Sequence, residues 1–279
     1  FNRESEVRDL DLLVLDECSM VNDEMLNDLL RFRVPIMVLG DPGQLPPIEG
    51  TGALIRDEPD VILAEIHRQA GDSPIINFAT RARSGIAIPR VLDGAAQCYE
   101  LPVMSDIVPV IEKYNPQVLC GKNATRRKLN QFLRPGEGMF PVKGEKLICL
   151  RNDSANELFN GMFAEVVEVG EIFDAAIELT IQTELDGASP QKVRALSAHF
   201  EAYDRPKALE EVKWWQRTDT QEFDFGYAIT VHKAQGSQWN NVLLVDDKFY
   251  VWDKPMRKRW LYTAITRAAE NLTLISRGK

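Results

Sequence analysis

Residues 12–15, Leu-Leu-Val-Leu, form an unbroken apolar run bounded by Asp11 and Asp16. The run is too short for a typical helix and predicts a strand buried on both faces, as in a parallel sheet. Asn22 then caps a predicted helix with Met25, Leu26, Leu29 and Leu30 on one face. A second buried strand is predicted over residues 34–39, ending in a Gly- and Pro-punctuated loop, residues 40–47. A third apolar run covers residues 61–64, and Ser73-Pro74 opens a helix reaching Arg83. The pattern loosens over 86–100, which predicts a domain boundary. A helix over 105–114, a strand over 117–120 and a helix from Asn123 follow. From Glu145 to about Trp215 the period falls to two, predicting short strands at 146–150, 162–169, 177–182 and 193–197. Asn160-Gly161 there predicts a type I′ hairpin turn. The α/β rhythm then returns, with strands at 227–231, 242–245 and 272–275 and a helix over 257–267. The fold class expected is α/β, with a small antiparallel barrel inserted in the second domain.

Composition bounds this picture without changing it. The 279 residues suit roughly two domains, and 44% hydrophobic residues suffice for sizeable cores. A formal net charge of -9 argues against a general nucleic-acid glue and leaves room for a local basic groove. Cys18, Cys98, Cys120 and Cys149 are scattered and form no C-x-x-C pair, so a reducing cytoplasm is expected and neither a disulfide framework nor a zinc site. No apolar run approaches the ~18 residues of a membrane span, so no membrane partner is expected. The polar start, without an initiator Met and close to a core strand, suggests a piece of a longer protein.

Chemistry gathers where the predicted strands end. In open α/β sheets ligands bind beyond the carboxyl ends of strands. Asp16 there is a candidate Mg²⁺ carboxylate and Glu17 a candidate base for an attacking water. From these residues alone, a strand ending in a solvated Asp-Glu turn is the commoner reading. Gln44 can meet a phosphate oxygen or orient a water, or can sit in a rigid turn. Arg68 is a phosphate-binding candidate, or else a surface arginine, whereas His67 reads as structural. Arg126, Arg127 and Lys128 can contact a nucleic-acid backbone or form a solvated face.

Taken in order, the motifs resemble those of superfamily 1 helicases, and most closely the RecD/Dda-like, exodeoxyribonuclease V alpha-subunit-like branch. Leu-Val-Leu-Asp-Glu-Cys-Ser-Met at 13–20 resembles motif II, and Gly-Asp-Pro-Gly-Gln-Leu-Pro-Pro at 40–47 resembles motif III. Ile-His-Arg-Gln at 66–69 resembles motif IV, residues 231–238 motif V, and Tyr-Thr-Ala-Ile-Thr-Arg-Ala at 262–268 motif VI. Residues 147–161 resemble the start of the SH3-like insertion of RecD-type proteins.

The resemblance implies RecA-like lobes: residues 1–98 as the latter part of lobe 1, 99–144 with 217–279 as lobe 2, and 145–216 as the SH3-like β-barrel. It implies ATP and Mg²⁺, with Asp16 holding the metal, Glu17 activating water, Gln44 sensing the γ-phosphate and Arg68 and Arg267 acting as arginine fingers. Gly236 and Gln238 would lie by the nucleotide. Thr230, His232, Lys233, Gln235 and Ser237, with Arg126 and Arg127, would meet single-stranded DNA. The implied activity is 5′-to-3′ DNA translocation, with recombination or replication proteins as further partners. Two departures stand out. No G-x-x-x-x-G-K-[ST] loop occurs, and it is expected upstream. Gln238 stands where many relatives carry a carboxylate. A binding or docking module without a motor, and an RNA helicase of the same superfamily, are the alternative readings.

Overall fold

The structure is a computed structural model describing residues 5–47, 52, 54, 58–63, 73–91, 94–100, 107–247 and 253–276. The chain divides into two compact units: one comprises residues 1–121 and 234–279, the other residues 122–233. Each is described by itself.

In the first unit, β1 (Leu13–Leu15) and β2 (Ile36–Val38) pair in parallel, Leu13 against Ile36 and Leu15 against Val38. Between them runs α1 (Asp23–Leu30), whose first turn is capped by Asn22 Oδ1 accepting from Met25 N–H at 2.9 Å. The expected burial on both faces is not found: Val14 and Met37 are 52% and 51% exposed. Their sheet has two strands among the described residues. A larger parallel sheet runs β4 (Gln117–Cys120), β11 (Trp239–Asp246), β12 (Ala268–Ser276), β3 (Ala96–Glu100). Its central residues Val118, Leu119, Leu243, Leu244 and Leu274 are buried, as continuous apolar strands in a parallel sheet should be. β3 reads polar in sequence and was not expected, so the division at residue 98 falls inside a strand. Helices α2 (Pro74–Ser84) and α8 (Lys254–Ile265) pack on one another, while α3 (Val108–Tyr114) precedes β4. Ser73, Pro74 and a left-handed Gly85 bound α2 as the residue pattern predicts. Val61, Ile62 and Leu63 form no strand and are exposed.

The second unit holds an antiparallel sheet of five strands, in the order β8 (Gln191–Leu196), β7 (Ala176–Thr183), β6 (Phe163–Phe173), β5 (Lys146–Cys149), β9 (Phe223–Phe225). Leu147, Val166, Ile177, Leu179, Ile181 and Phe225 alternate inward and build its core. α4 (Asn123–Leu133) precedes β5, and β10 (Ala228–Thr230) follows β9. Asn130 of α4, fully buried, accepts from Ala228 N–H and donates to the carbonyls of Phe225 and Ala228, fixing the strand-to-strand bend. The link from α4 to β5 is held by Arg134, which donates to Glu145 at 2.8 Å and to the Gly138 and Phe140 carbonyls. Its guanidinium also lies 3.7 Å from the Phe225 ring.

Two expectations for this unit are corrected. Asn160-Gly161 is not a type I′ turn. Gly161 has φ 100° but Asn160 is not left-handed, and Met162 N–H donates to Phe159 O at 2.9 Å, the pattern of a type II turn. The two-residue hairpin turn lies instead at Asp174 (φ 45°) and Ala175 (φ 63°), between paired Phe173 and Ala176. The interval read as strands alone also holds three short helices: α5 (Ala198–Glu201), α6 (Ala208–Glu211) and α7 (Trp214–Thr218). Four or five residues are too few to display a helical period.

Candidate nucleotide and nucleic-acid sites

β1 delivers Asp16 and Glu17 at its carboxyl end, beside the end of β2. Glu17 takes a left-handed conformation (φ 51°, ψ 44°), uncommon for a non-glycine residue, and its N–H donates to Asp16 Oδ1 at 2.8 Å. The chain turns sharply there and is tied to β2 by Cys18 N–H donating to Leu39 O at 3.0 Å. The approach explains Gly40: a Cβ at that position would lie 2.4 Å from Cys18 Sγ. Burial, and then the charges of Glu17 and Asp16, push the Cys18 thiol up, so it stays protonated.

The loop after β2 folds back under these carboxylates. Asp41 Oδ1 accepts from Gly43 N–H at 2.8 Å, and Gln44 N–H closes the turn on Asp41 O at 3.0 Å. Gln44 is only 7% exposed, and its amide oxygen accepts from the buried Ser19 hydroxyl at 3.5 Å.

Helix α8 carries the facing residues. Tyr262 donates its hydroxyl to Asp41 Oδ2, and its ring lies where a Cβ on Gly43 would sit 3.1 Å away. Burial, followed by the bond to Asp41 and its charge, raises the Tyr262 hydroxyl to about 12. Thr263 Oγ1 accepts from Leu45 N–H at 2.9 Å, while Gln235 donates to Leu45 O at 2.9 Å. Arg267 is 7% exposed and donates to Thr263 O, Ser237 O and Thr266 Oγ1. Burial lowers its guanidinium from the ordinary value, and Glu17, Tyr262 and Asp41 act in the other direction, so the cation lies within electrostatic reach of Glu17.

The structure therefore brings Asp16, Glu17, Gln44, Gln235, Ser237 and Arg267 into one unit. The loop of Gly236, at φ 79°, is tied to Arg267 through the Ser237 carbonyl, and Gln238 is exposed beside it. Gln235, expected to face DNA, is instead buried and bonded to Leu45. Arg68 lies outside the described residues. Asp41, Tyr262 and Thr263 were not singled out. Each sits inside a recognised motif, but its partner is more than 200 residues away, and no spacing rule reveals such a pair.

The second unit holds Thr230, His232, Lys233, Arg126 and Arg127. Thr230 Oγ1 accepts from Lys233 N–H at 3.4 Å, and Lys233 Nζ donates to Asn160 Oδ1. Burial lowers both His232 and Lys233. Arg126 departs from its expected role: it pairs with Asp224, its side chain is 13% exposed, and Tyr203 donates to the same carboxylate at 2.7 Å. Arg127 is half-buried and Lys128 exposed.

Asp16 suits a hydrated Mg²⁺: its carboxylate is exposed at a strand's end, with one oxygen bonded to the Glu17 N–H. Among the described residues no group of three or more His, Cys, Asp or Glu gathers for direct metal ligation.

An AAA domain model matches residues 3–97, and a UvrD-like helicase C-terminal domain model matches residues 225–275. The chain is 29% identical over 287 residues to the ATP-dependent RecD2 DNA helicase of Deinococcus radiodurans, covering 93% of this chain and 35% of that protein. It is 24% identical to a probable conjugal transfer protein TraA of Sinorhizobium fredii, over 96% of this chain and 24% of that protein. The chain thus spans about a third or less of the length of these relatives. In fold it resembles the Pif1 helicase from Bacteroides in complex with ADP-AlF3 and ssDNA (TM-score 0.57, 18% identity, 100% of this chain and 74% of that one). It also resembles the Pif1 helicase from Candida albicans (TM-score 0.56, 17% identity, 96% and 72%). By these matches the chain is similar to superfamily 1 helicases of the RecD/Dda-like kind.

Proposed function

We propose that this chain is the motif II-to-VI part of an ATP-dependent DNA helicase that moves 5′ to 3′ along single-stranded DNA in the cytoplasm, in recombination, repair or replication. The observation that carries the reading is the hydrogen-bonded seam joining Ser19, Gln44, Leu45, Gln235, Thr263 and Arg267 beneath Glu17. Through it, any displacement of the α8 end moves the glutamine and arginine together.

Glu17 takes a proton from the attacking water, and Arg267 supplies charge to the transferring phosphoryl group, as does Arg68. Asp16 would hold Mg²⁺, and that ion would supply positive charge against the phosphates. Thr230, His232, Lys233 and Arg127 meet the DNA strand. Within this scheme residues 145–216 act as the SH3-like barrel between two stretches of lobe 2. The phosphate-cradling glycine-lysine loop is not written in these 279 residues, so the ATPase test requires a protein that supplies it.

In such a protein, Glu17→Gln is expected to cut kcat for DNA-stimulated ATP hydrolysis by at least a hundredfold while nucleotide affinity stays within about twofold. Turnover at the parent's rate would remove Glu17 as the base. Running the assay with DNA and RNA polymers side by side decides the nucleic acid.

A further inference from the structure

Two adjacent tryptophans stand in the open on the second unit. Trp214 is 74% exposed and Trp215 45%, and their rings meet edge to face at 5.8 Å on α7. The helix is anchored by its other residues. Gln216 Oε1 accepts from Lys213 N–H at 2.9 Å, Thr220 donates to Gln216 O, and Arg217 donates to Leu209 O. The indoles therefore contribute little to holding the segment, and they leave a large apolar area in water.

Cations surround this area. Lys213 Nζ lies 5.0 Å from the Trp215 ring centre. Arg217 is three residues from Trp214, on the same side of the helix. Arg151 reaches the C-terminal end of α7, donating to Arg217 O and Thr220 O. Both arginines share a single carboxylate, Glu222, which His199 also contacts at 2.9 Å. Arg151 and Arg217 thus share one carboxylate, and Lys213 stands beside Trp215. The nearby acids are Glu211, paired with Arg205, and the exposed Glu210 and Asp219.

Flat aromatic faces beside Lys213, Arg151 and Arg217 suit a ligand with flat π-faces strung on an anionic backbone. We propose that Trp214 and Trp215 form a stacking platform for unpaired bases of a single-stranded nucleic acid, with Lys213, Arg151 and Arg217 facing its phosphates. The proposal deepens the nucleic-acid reading above, but it rests on residues outside every motif used there and needs no ATP.

The test uses this chain without nucleotide. Its affinity for a labelled oligothymidylate is compared with that for a strand of equal length in which the sugars carry no bases. The parent is expected to prefer the strand with bases. Trp214→Ala/Trp215→Ala should bind oligothymidylate about tenfold more weakly or worse and the baseless strand unchanged, at an unaltered melting temperature. Trp214→Phe/Trp215→Phe should recover most of the affinity. If the alanine pair melts early, Trp214→Ala alone carries the test, since its ring is the more exposed. Equal loss on both strands, no loss on either, or a parent indifferent to bases would overturn the platform. So would an alanine pair that abolishes self-association of the chain and leaves its oligothymidylate affinity intact. A failed ATPase in the Glu17 experiment leaves this readout standing, and a failed platform leaves that experiment standing.

Discussion

Tyr262 and Asp41 meet across 221 positions of sequence, and their bond shows how single side chains set the geometry of the seam. The phenol is raised to about 12 by burial and by the carboxylate it serves. A raised folded-state value means that the neutral phenol is the form the fold favours. Its contribution is fully present below the unfolded value of about 10 and is lost as pH climbs through the folded value. Chemical unfolding between pH 9 and 12 should therefore show stability falling more steeply for the parent than for Tyr262→Phe. The variant should also be weaker by roughly 1.5–3 kcal/mol at pH 8, having lost one hydrogen bond to a charged group. Parallel curves would mean that the hydroxyl ionises as freely in the fold as out of it. Asp16, Glu17, Gln44 and Arg267 could be singled out as candidates because each stands at a fixed place in a recognisable motif, and the structure places them in one unit. The pairing of Arg126 with Asp224 was not legible because the two lie 98 positions apart, and a cation's fate depends on its partner.

Secondary-structure elements tell a similar story at longer range. β4, with all four residues buried, and α2, with Ser-Pro before it and Gly after, follow directly from local chemistry. β3 was hidden because Ala-Gln-Cys-Tyr-Glu has neither an apolar run nor a clean alternation; its place comes from pairing with β12. The β6–β7 turn was hidden because Asp174-Ala175 lacks the glycine that advertises a left-handed pair. That turn invites a direct test. Ala175 holds φ 63°, where an L side chain costs about 1–2 kcal/mol and glycine costs little. Ala175→Gly should therefore raise the denaturation midpoint, adding on the order of 0.5–1 kcal/mol after the extra freedom glycine has when unfolded. A lower midpoint would show that the Ala175 methyl makes packing contacts worth more than the strain.

At the scale of the whole molecule, the two units differ in how they use their sheets. One lays parallel strands so that their carboxyl ends present chemistry; the other wraps antiparallel strands round a core of its own. No helix among the described residues is long and apolar enough to cross a membrane. The four cysteines are all buried, with no disulfide among them, and they are divided between the units: Cys18, Cys98 and Cys120 in one, Cys149 in the other. Cys18 is the instructive one, because its sulfur fills the space left by the missing side chain of Gly40, under the Asp16-Glu17 turn. A thiol-specific dye in native buffer should label it only as fast as that turn lifts away from β2. The labelling rate becomes a clock for the breathing of the site, readable by mass spectrometry without any engineered probe. With the missing phosphate loop supplied and a nucleotide analogue added, the Cys18 clock should slow while the Cys149 clock keeps its pace. If both slow together, the nucleotide tightens the entire chain, and the sulfur under Gly40 reports global unfolding instead of the local hinge.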